Sequence, residues 1–222
     1  GVQTCALPIC KSIEQFRELI QAAAGEVGVP LTAAQLSALS THFRLLLQWN
    51  QKINLTAIRD PRQIATRHFA ESLFLATLIP PVGGSFVDVG SGGGFPGIPL
   101  QAVWPEASVV LLEPNQKKAA FLKEVVRQCG WRTARVLADR LEDAARSELA
   151  GRAQLVTMRA VAPTEAVLRD IAALLAAEGI VALYLGAEDA AVVARSPLFQ
   201  WRGAQSIPHS ESRVILIGTP VR

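Results

Sequence analysis

Phe86-Val87-Asp88-Val89-Gly90-Ser91-Gly92-Gly93-Gly94-Phe95-Pro96-Gly97 is the stretch on which the fold turns. An apolar strand-like run enters a loop with glycine at four of the five positions 90–94, and Gly97-Ile98-Pro99-Leu100 then reads as a helix start. Side chains at such turn positions would hold a ligand away from the backbone, and glycine alone reaches positive φ cheaply. The free N–H groups of the following helix favour polar or anionic ligand groups. Gly92, Gly94 and Gly97 also satisfy the G-x-G-x-x-G spacing of dinucleotide enzymes, so the loop alone does not choose its ligand.

Outward from the loop, short apolar runs alternate with helix-like segments. Strands are expected at Phe86–Val89, Val109–Leu112, Arg135–Leu137, Leu155–Thr157 and Ile180–Leu185, and helices at 97–103, 115–128, 140–149, 163–177 and 188–195. Phe199–Ser206 and Arg213–Ile217 lack a helix between them and read as an antiparallel hairpin turning at Pro208-His209. This pattern predicts an α/β, Rossmann-like, mostly parallel seven-stranded sheet with helices on both faces, over residues 81–222.

Upstream, residues 11–80 predict a helical unit. Helices are expected over 12–27 and 32–52, the second capped by Thr32, with Leu36, Leu39, Phe43, Leu46 and Leu47 on one apolar stripe. A third should start at Pro61 and end near Leu78, before Pro80-Pro81. The opening GVQTCALPIC lacks continuity with the helix after it, and residues 1–10 are expected to stand outside the fold as a non-native or disordered leader.

Half of the 222 residues are hydrophobic and 18% are charged, which excludes a disordered chain. No run approaches the roughly 18 apolar residues of a membrane span. Cys5, Cys10 and Cys129 form neither a disulfide framework nor a metal cluster, so free thiols in a reducing cytoplasm, and no metal, are expected. The net charge of +3 is mild, but it is unevenly spread. Between Arg44 and His68 five cations (Arg44, Lys52, Arg59, Arg62, Arg67) face one anion, Asp60, a local excess suited to a polyanion or to a solvated helix face.

Three details favour S-adenosylmethionine over NAD. Asp88, two residues before the first glycine, can receive a cationic amino group but would repel a pyrophosphate. Glu113, nineteen residues after Gly94, closes the next strand where an acid binds ribose hydroxyls, a feature both ligands share. Asp139-Arg140-Leu141-Glu142 follows the third strand, where an acid can accept from an adenine amino group while Leu141 lies on the ring. Together with the alternation of strands and helices these details predict the class I methyltransferase fold.

The strings Trp49-Asn50-Gln51-Lys52-Ile53-Asn54-Leu55-Thr56, Arg59-Asp60, Arg67-His68, Glu71-Ser72, the Asp88–Leu100 loop with its Phe95-Pro96-Gly97-Ile98-Pro99 extension, Lys117-Lys118 and Phe121-Leu122 closely resemble the RsmG (GidB) family. Those are bacterial 16S ribosomal RNA guanine-N7 methyltransferases, and the resemblance runs from about Ser12 to Gly218. It implies that Gly90 and Phe95 line the cofactor pocket, with Glu113 at the ribose and Leu141 and Glu142 at the adenine; with Asp88, Gly92 and Gly94 of the loop and Arg159 these make up the expected cofactor site. Arg159 would face the methyl group as the catalytic residue. It also implies 16S rRNA or the small subunit as the substrate; a monomer is expected from the lack of an exposed apolar repeat.

Arg59, Arg62, Arg67, Lys117, Lys118 and Arg213 are the candidate RNA contacts. Where the family pattern leads one to expect a lysine before the glycine closing the fifth strand, this chain has Tyr184-Leu185-Gly186, and Arg213 is a candidate replacement. His68 is expected to be a packed, hydrogen-bonded histidine, and Trp49 and Asn54 to pack and cap. An NAD-dependent oxidoreductase and a non-catalytic RNA-binding relative stand as the alternatives.

Overall fold

In the computed structural model, which describes residues 7–221, a helical segment leads into an eight-stranded sheet. Helix α1 spans Leu7–Glu26 and α2 Ala33–Trp49. Thr32 caps α2 as expected: its hydroxyl accepts from the Gln35 N–H while the Gln35 side chain accepts from the Thr32 N–H. The third helix begins at Pro61 behind an Asp60 cap and ends at Leu78, but it is not uniform. A π-helical turn, Ala65–Ala70, separates α3 (Pro61–Ile64) from α4 (Glu71–Leu78). Residues 7–10 continue α1 rather than standing outside the fold; the rest of the expected leader, residues 1–6, lies outside the described residues.

The strands are β1 (Ser85–Val89), β2 (Ser108–Leu112), β3 (Ala134–Leu137), β4 (Ala153–Arg159), β5 (Leu175–Gly186), β6 (Phe199–Trp201), β7 (Gln205–Ser206) and β8 (Arg213–Pro220). Their order is β3-β2-β1-β4-β5-β8-β6, with β7 also on β8. Strands β1 to β5 are parallel, and β8 runs antiparallel to β5, β6 and β7. The expected sixth strand over 199–206 is two short ones, interrupted at Arg202–Ala204, so the sheet has eight strands. The short connection from β7 to β8 permits only antiparallel return, because a parallel crossover needs a dozen or more residues.

Helices α5 (Gly97–Val103), α6 (Gln116–Cys129), α7 (Leu141–Ala144), α8 (Glu165–Leu174) and α9 (Ala187–Val193) fill the crossovers. Two expectations were too long: α7 is a single turn rather than 140–149, and α8 stops at Leu174 because the chain goes straight into the irregular start of β5. Burial divides into two layers. On one face Phe16, Phe43, Phe69, Phe86 and Phe121 form one core, so α1 and α2 share their interior with the sheet rather than owning a separate one. On the other, Leu168, Ile171 and Leu174 of α8 cover Val87, Val156 and Val181. Strand order reverses between β1 and β4, and the crevice past their carboxyl ends is where such sheets bind ligands.

Candidate active site

Val89 pairs with Met158 across β1 and β4, so Gly90 and Arg159 emerge side by side at the switch point. A cavity of about 350 Å³ opens there, walled by Gly90–Gly93, Phe95, Glu113, Lys118 and Arg159, with Leu55 and His68 contributed from the helical segment. Gly90 has φ +67°, and a Cβ on it would come within 2.6 Å of Val161 Cγ2 on the facing loop. Only glycine fits that approach. Ala160 adopts φ 59°, which costs a non-glycine residue roughly 1–2 kcal/mol, and this tight turn lets both Arg159 and Val161 border the cavity.

Glu113 is buried in the cavity wall, and its two oxygens accept from the N–H groups of Gly92 and Asn115, each at 2.9 Å. A carboxylate has about four lone-pair positions, so two remain for a ligand's hydroxyls. Asp88 behaves differently from its expectation. It is fully buried outside the cavity wall, where Oδ1 accepts from the Thr157 hydroxyl at 2.7 Å and Oδ2 from the Gly97 N–H at 3.2 Å. Asp88 therefore clamps β1 to β4 and to the start of α5.

Burial pushes the Asp88 carboxyl up to about 6, against the bonds from Thr157, Ser91 and Gly97 that favour its charge. The folded protein thus binds this proton more tightly than the unfolded chain. The stabilisation is present below pH about 4 and is lost as pH rises through about 6, a change of roughly 2–3 kcal/mol. Urea unfolding of wild type and Asp88→Asn should show the difference in stability between them shifting in that direction from pH 4 to 7. A pH-independent difference would refute the assignment.

Two histidines line the underside of the loop. His42, which the sequence reading passed over, is fully buried, with Nε2 2.7 Å from the Gly93 carbonyl oxygen. A carbonyl only accepts, so Nε2 carries the hydrogen. Its place could be read from spacing: it sits three after Leu39 and four before Leu46, on the buried stripe. His68 is packed and hydrogen-bonded as expected, its Nε2 2.7 Å from Thr56 Oγ1 and its ring stacked on Phe95 at 4.7 Å. Burial, with Arg159 second, lowers it to about 3, so it is neutral near pH 7 and a poor proton acceptor.

Asn50, not Asn54, caps the loop 50–56: its Oδ1 accepts from the N–H groups of Leu55 and Thr56, and its Nδ2 donates to the Thr56 carbonyl. Asn54 is exposed. Trp49 packs edge-on to Phe121 as expected of a packing residue.

Arg159 is anchored from the helical segment. Its Nη2 donates to the Arg67 carbonyl, inside the π-helical turn, at 2.7 Å and to Glu71 Oε2 at 3.3 Å, while Nη1 is buried without a partner. Glu71, only 7% exposed in its side chain, also holds Arg213 Nη2 at 2.6 Å. Burial raises the Glu71 carboxyl, and both arginines oppose that. Glu71 was read only as part of a string; a lone acid in the apolar run Glu71–Leu78 was the available signal.

The remaining candidates divide. Lys118 borders the cavity, Lys117 is exposed beside it, and Arg59, Arg62 and Arg67 are exposed on the flanking segment. Arg213, its side chain 32% exposed, pairs with Glu71. Leu141 and Glu142 are not brought into the cavity wall: Leu141 packs into the second core, and Glu142 pairs with Arg140 at 3.6 Å. They start the helix after β3, next to Glu113, whose N–H donates to the Leu137 carbonyl.

The family model for GidB, rRNA small subunit methyltransferase G, matches residues 35–205, most of the chain. The chain belongs to this family. Ribosomal RNA small subunit methyltransferase G of Syntrophus aciditrophicus is 36% identical over 175 residues, 78% of this chain and 73% of that protein. The Stutzerimonas stutzeri protein of that name is 41% identical over 112 residues, 50% of this chain and 52% of the relative, and the Pseudomonas fluorescens one is 39% identical over 132 residues, 60% and 61%. The chain thus spans between about half and three quarters of the length of these relatives.

A solved S-adenosylmethionine-dependent methyltransferase from Aquifex aeolicus shares the fold, with TM-score 0.60 at 14% identity over 73% of this chain and 94% of that one. A precorrin-6y C5,15-methyltransferase from Geobacter metallireducens does so with TM-score 0.53 at 14% identity, over 68% and 88%. Family membership displaces the NAD-dependent oxidoreductase that the glycine spacing had left open. Within this rRNA small subunit methyltransferase G family chain, Arg213 stands opposite Gly186 across β5 and β8, beside Leu185.

Proposed function

We propose that this protein transfers a methyl group from S-adenosylmethionine to N7 of a guanine in an exposed loop of 16S ribosomal RNA. The observation that carries the reading is the cavity at the switch point, which combines a glycine cradle, the free lone pairs of Glu113 and the guanidinium of Arg159. These residues suit the cofactor: Glu113 can receive its ribose hydroxyls, and the bare backbone at Gly90 leaves room beside the sheet. Leu141 and Glu142 stand one strand over, for the adenine.

When bound, S-adenosylmethionine supplies an electrophilic methyl group, whose carbon–sulfur bond breaks as the bond to N7 forms. N7 has a lone pair and no proton, so the protein needs no general base. That matches a site in which His68 is a poor acceptor. The chain's task is orientation and exclusion of water, which can contribute roughly 7–11 kcal/mol in well-aligned cases. Arg159 holds the O6 side of the acceptor, because a cation directly over the ring would oppose the charge it gains. The exposed cations Arg59, Arg62, Arg67 and Lys117, with Lys118, hold phosphates, and the base is presented from an unstacked loop because the A-form major groove is too narrow.

The test is transfer of labelled methyl groups to bacterial small-subunit RNA and subunits, with the product mapped. One labelled N7-methylguanosine is expected, lost in Arg159→Ala. Cofactor binding without labelling of either substrate would refute the RNA acceptor. Glu113→Gln should weaken cofactor binding about tenfold, since a charge-assisted bond is exchanged for neutral ones; calorimetry showing unchanged affinity would remove Glu113 from the ribose site.

A further inference from the structure

Beyond Arg159 and Ala160 lies a second cavity, of about 190 Å³, bordered on its other sides by Glu71, Tyr184, Gly186, Ile207 and Arg213. Its character is split. Tyr184 and Ile207 are apolar walls, 6% and 2% exposed, while the Arg159–Glu71–Arg213 chain makes one polar end. The Tyr184 hydroxyl is turned away to the Ser72 carbonyl at 2.8 Å, which leaves its ring as surface. A site of two apolar walls and one polar end suits a flat heterocycle better than a phosphate or a peptide.

We propose that this second cavity seats the acceptor base, and that the two cavities meet at Arg159 as the two halves of one transfer site. This rests on the methyl-transfer reading above and deepens it. The first cavity holds the carboxylate for a ribose; the second holds cations for a base edge rich in acceptors. Arg159 borders both, and its buried Nη1 is a donor without a protein partner. A purine that offers O6 to that donor places the adjacent N7 toward the first cavity, where its lone pair forms the new bond to carbon and the departing sulfur keeps the old bond's electrons. An adenine would present an amino group to the same donor and leave Nη1 unsatisfied, so the seat selects guanine. Glu71 is a positioning residue: its carboxylate is engaged by both arginines and fixes them.

Gly186 permits a clean test, because a Cβ there meets nothing closer than Asp189 Oδ2 at 3.7 Å and its φ is −69°. Gly186→Val takes volume from the second cavity without straining the backbone. It should raise KM for RNA at least about tenfold, with cofactor affinity and melting temperature unchanged. Independently of RNA, 6-thioguanosine monophosphate activated by light should label Tyr184, Ile207 or their neighbours in the wild type, less in Gly186→Val, and 6-thioguanosine should be displaced by GMP but not by AMP. Glu71→Gln should lower kcat more than it raises cofactor Kd, whereas Glu71→Asp, which keeps the carboxylate, should retain part of kcat.

Labelling confined to the first cavity, or absent, overturns the seat, as does an unchanged KM in Gly186→Val. Labelling of the second cavity by an enzyme that methylates no RNA keeps the seat and refutes the RNA acceptor. RNA methylation without labelling there does the reverse.

Discussion

Arg159→Ala is expected to lower kcat/KM for RNA methylation by about 10²–10³, the usual cost of removing a donor preorganised for the transition state. The affinity for the cofactor should change by less than about tenfold, because Glu113 and the glycine loop remain. Nη2 is fixed by two acceptors, the Arg67 carbonyl and Glu71, so the guanidinium does not have to be ordered when substrate arrives, and Nη1 is left for that substrate. Stability should fall only about 1–3 kcal/mol, less than for an orphaned buried charge, because Glu71 keeps Arg213 at 2.6 Å. Arg159→Lys should not rescue the rate, since an ammonium cannot bond to both anchors and the base in one plane. Single-turnover methylation beside calorimetry reads all three, and a rate loss below about tenfold would deny Arg159 its role.

Gly97→Ala is the second large effect, and it acts on the fold. The added methyl would lie 2.5 Å from Leu111 Cδ2, 2.7 Å from Asp88 Oδ2 and 2.9 Å from Asp88 Cβ. To make room α5 must move off the sheet, which stretches the Gly97 N–H bond to Asp88. Overpacking costs roughly 1–3 kcal/mol and a weakened buried hydrogen bond about 1–3 more. A loss of about 3–5 kcal/mol lowers the melting temperature of a chain this size by roughly 10 °C or more. Circular dichroism melts give the answer, and a drop under about 2 °C would mean the contact relaxes freely.

The glycine loop and the alternation of strands were legible because both are local: turn chemistry and apolar period lie within a dozen residues of Gly90. The same holds for Thr32 and Pro61, whose capping roles need only their neighbours. What escaped was whatever depends on a partner far along the chain. Asp88 looked like a ligand contact because strand ends usually face the crevice, yet Thr157, 2.7 Å away and on another strand, turns it inward. Glu71 gains its meaning only from Arg159 and Arg213, on two different strands. The π-helical turn has no periodic signature at all, since one extra residue in a helix leaves the apolar face nearly intact on either side.

Strand β8 lies between β5 and β6, although it follows all seven other strands in the chain. During synthesis β5 therefore waits with an open edge, and β6 and β7 have nothing to pair with, until Arg213–Pro220 leaves the ribosome. The guanidinium that completes the polar chain on Glu71 arrives in the same segment. A truncated chain ending before residue 213 would lose the strand that joins β5 to β6 and the second arginine together.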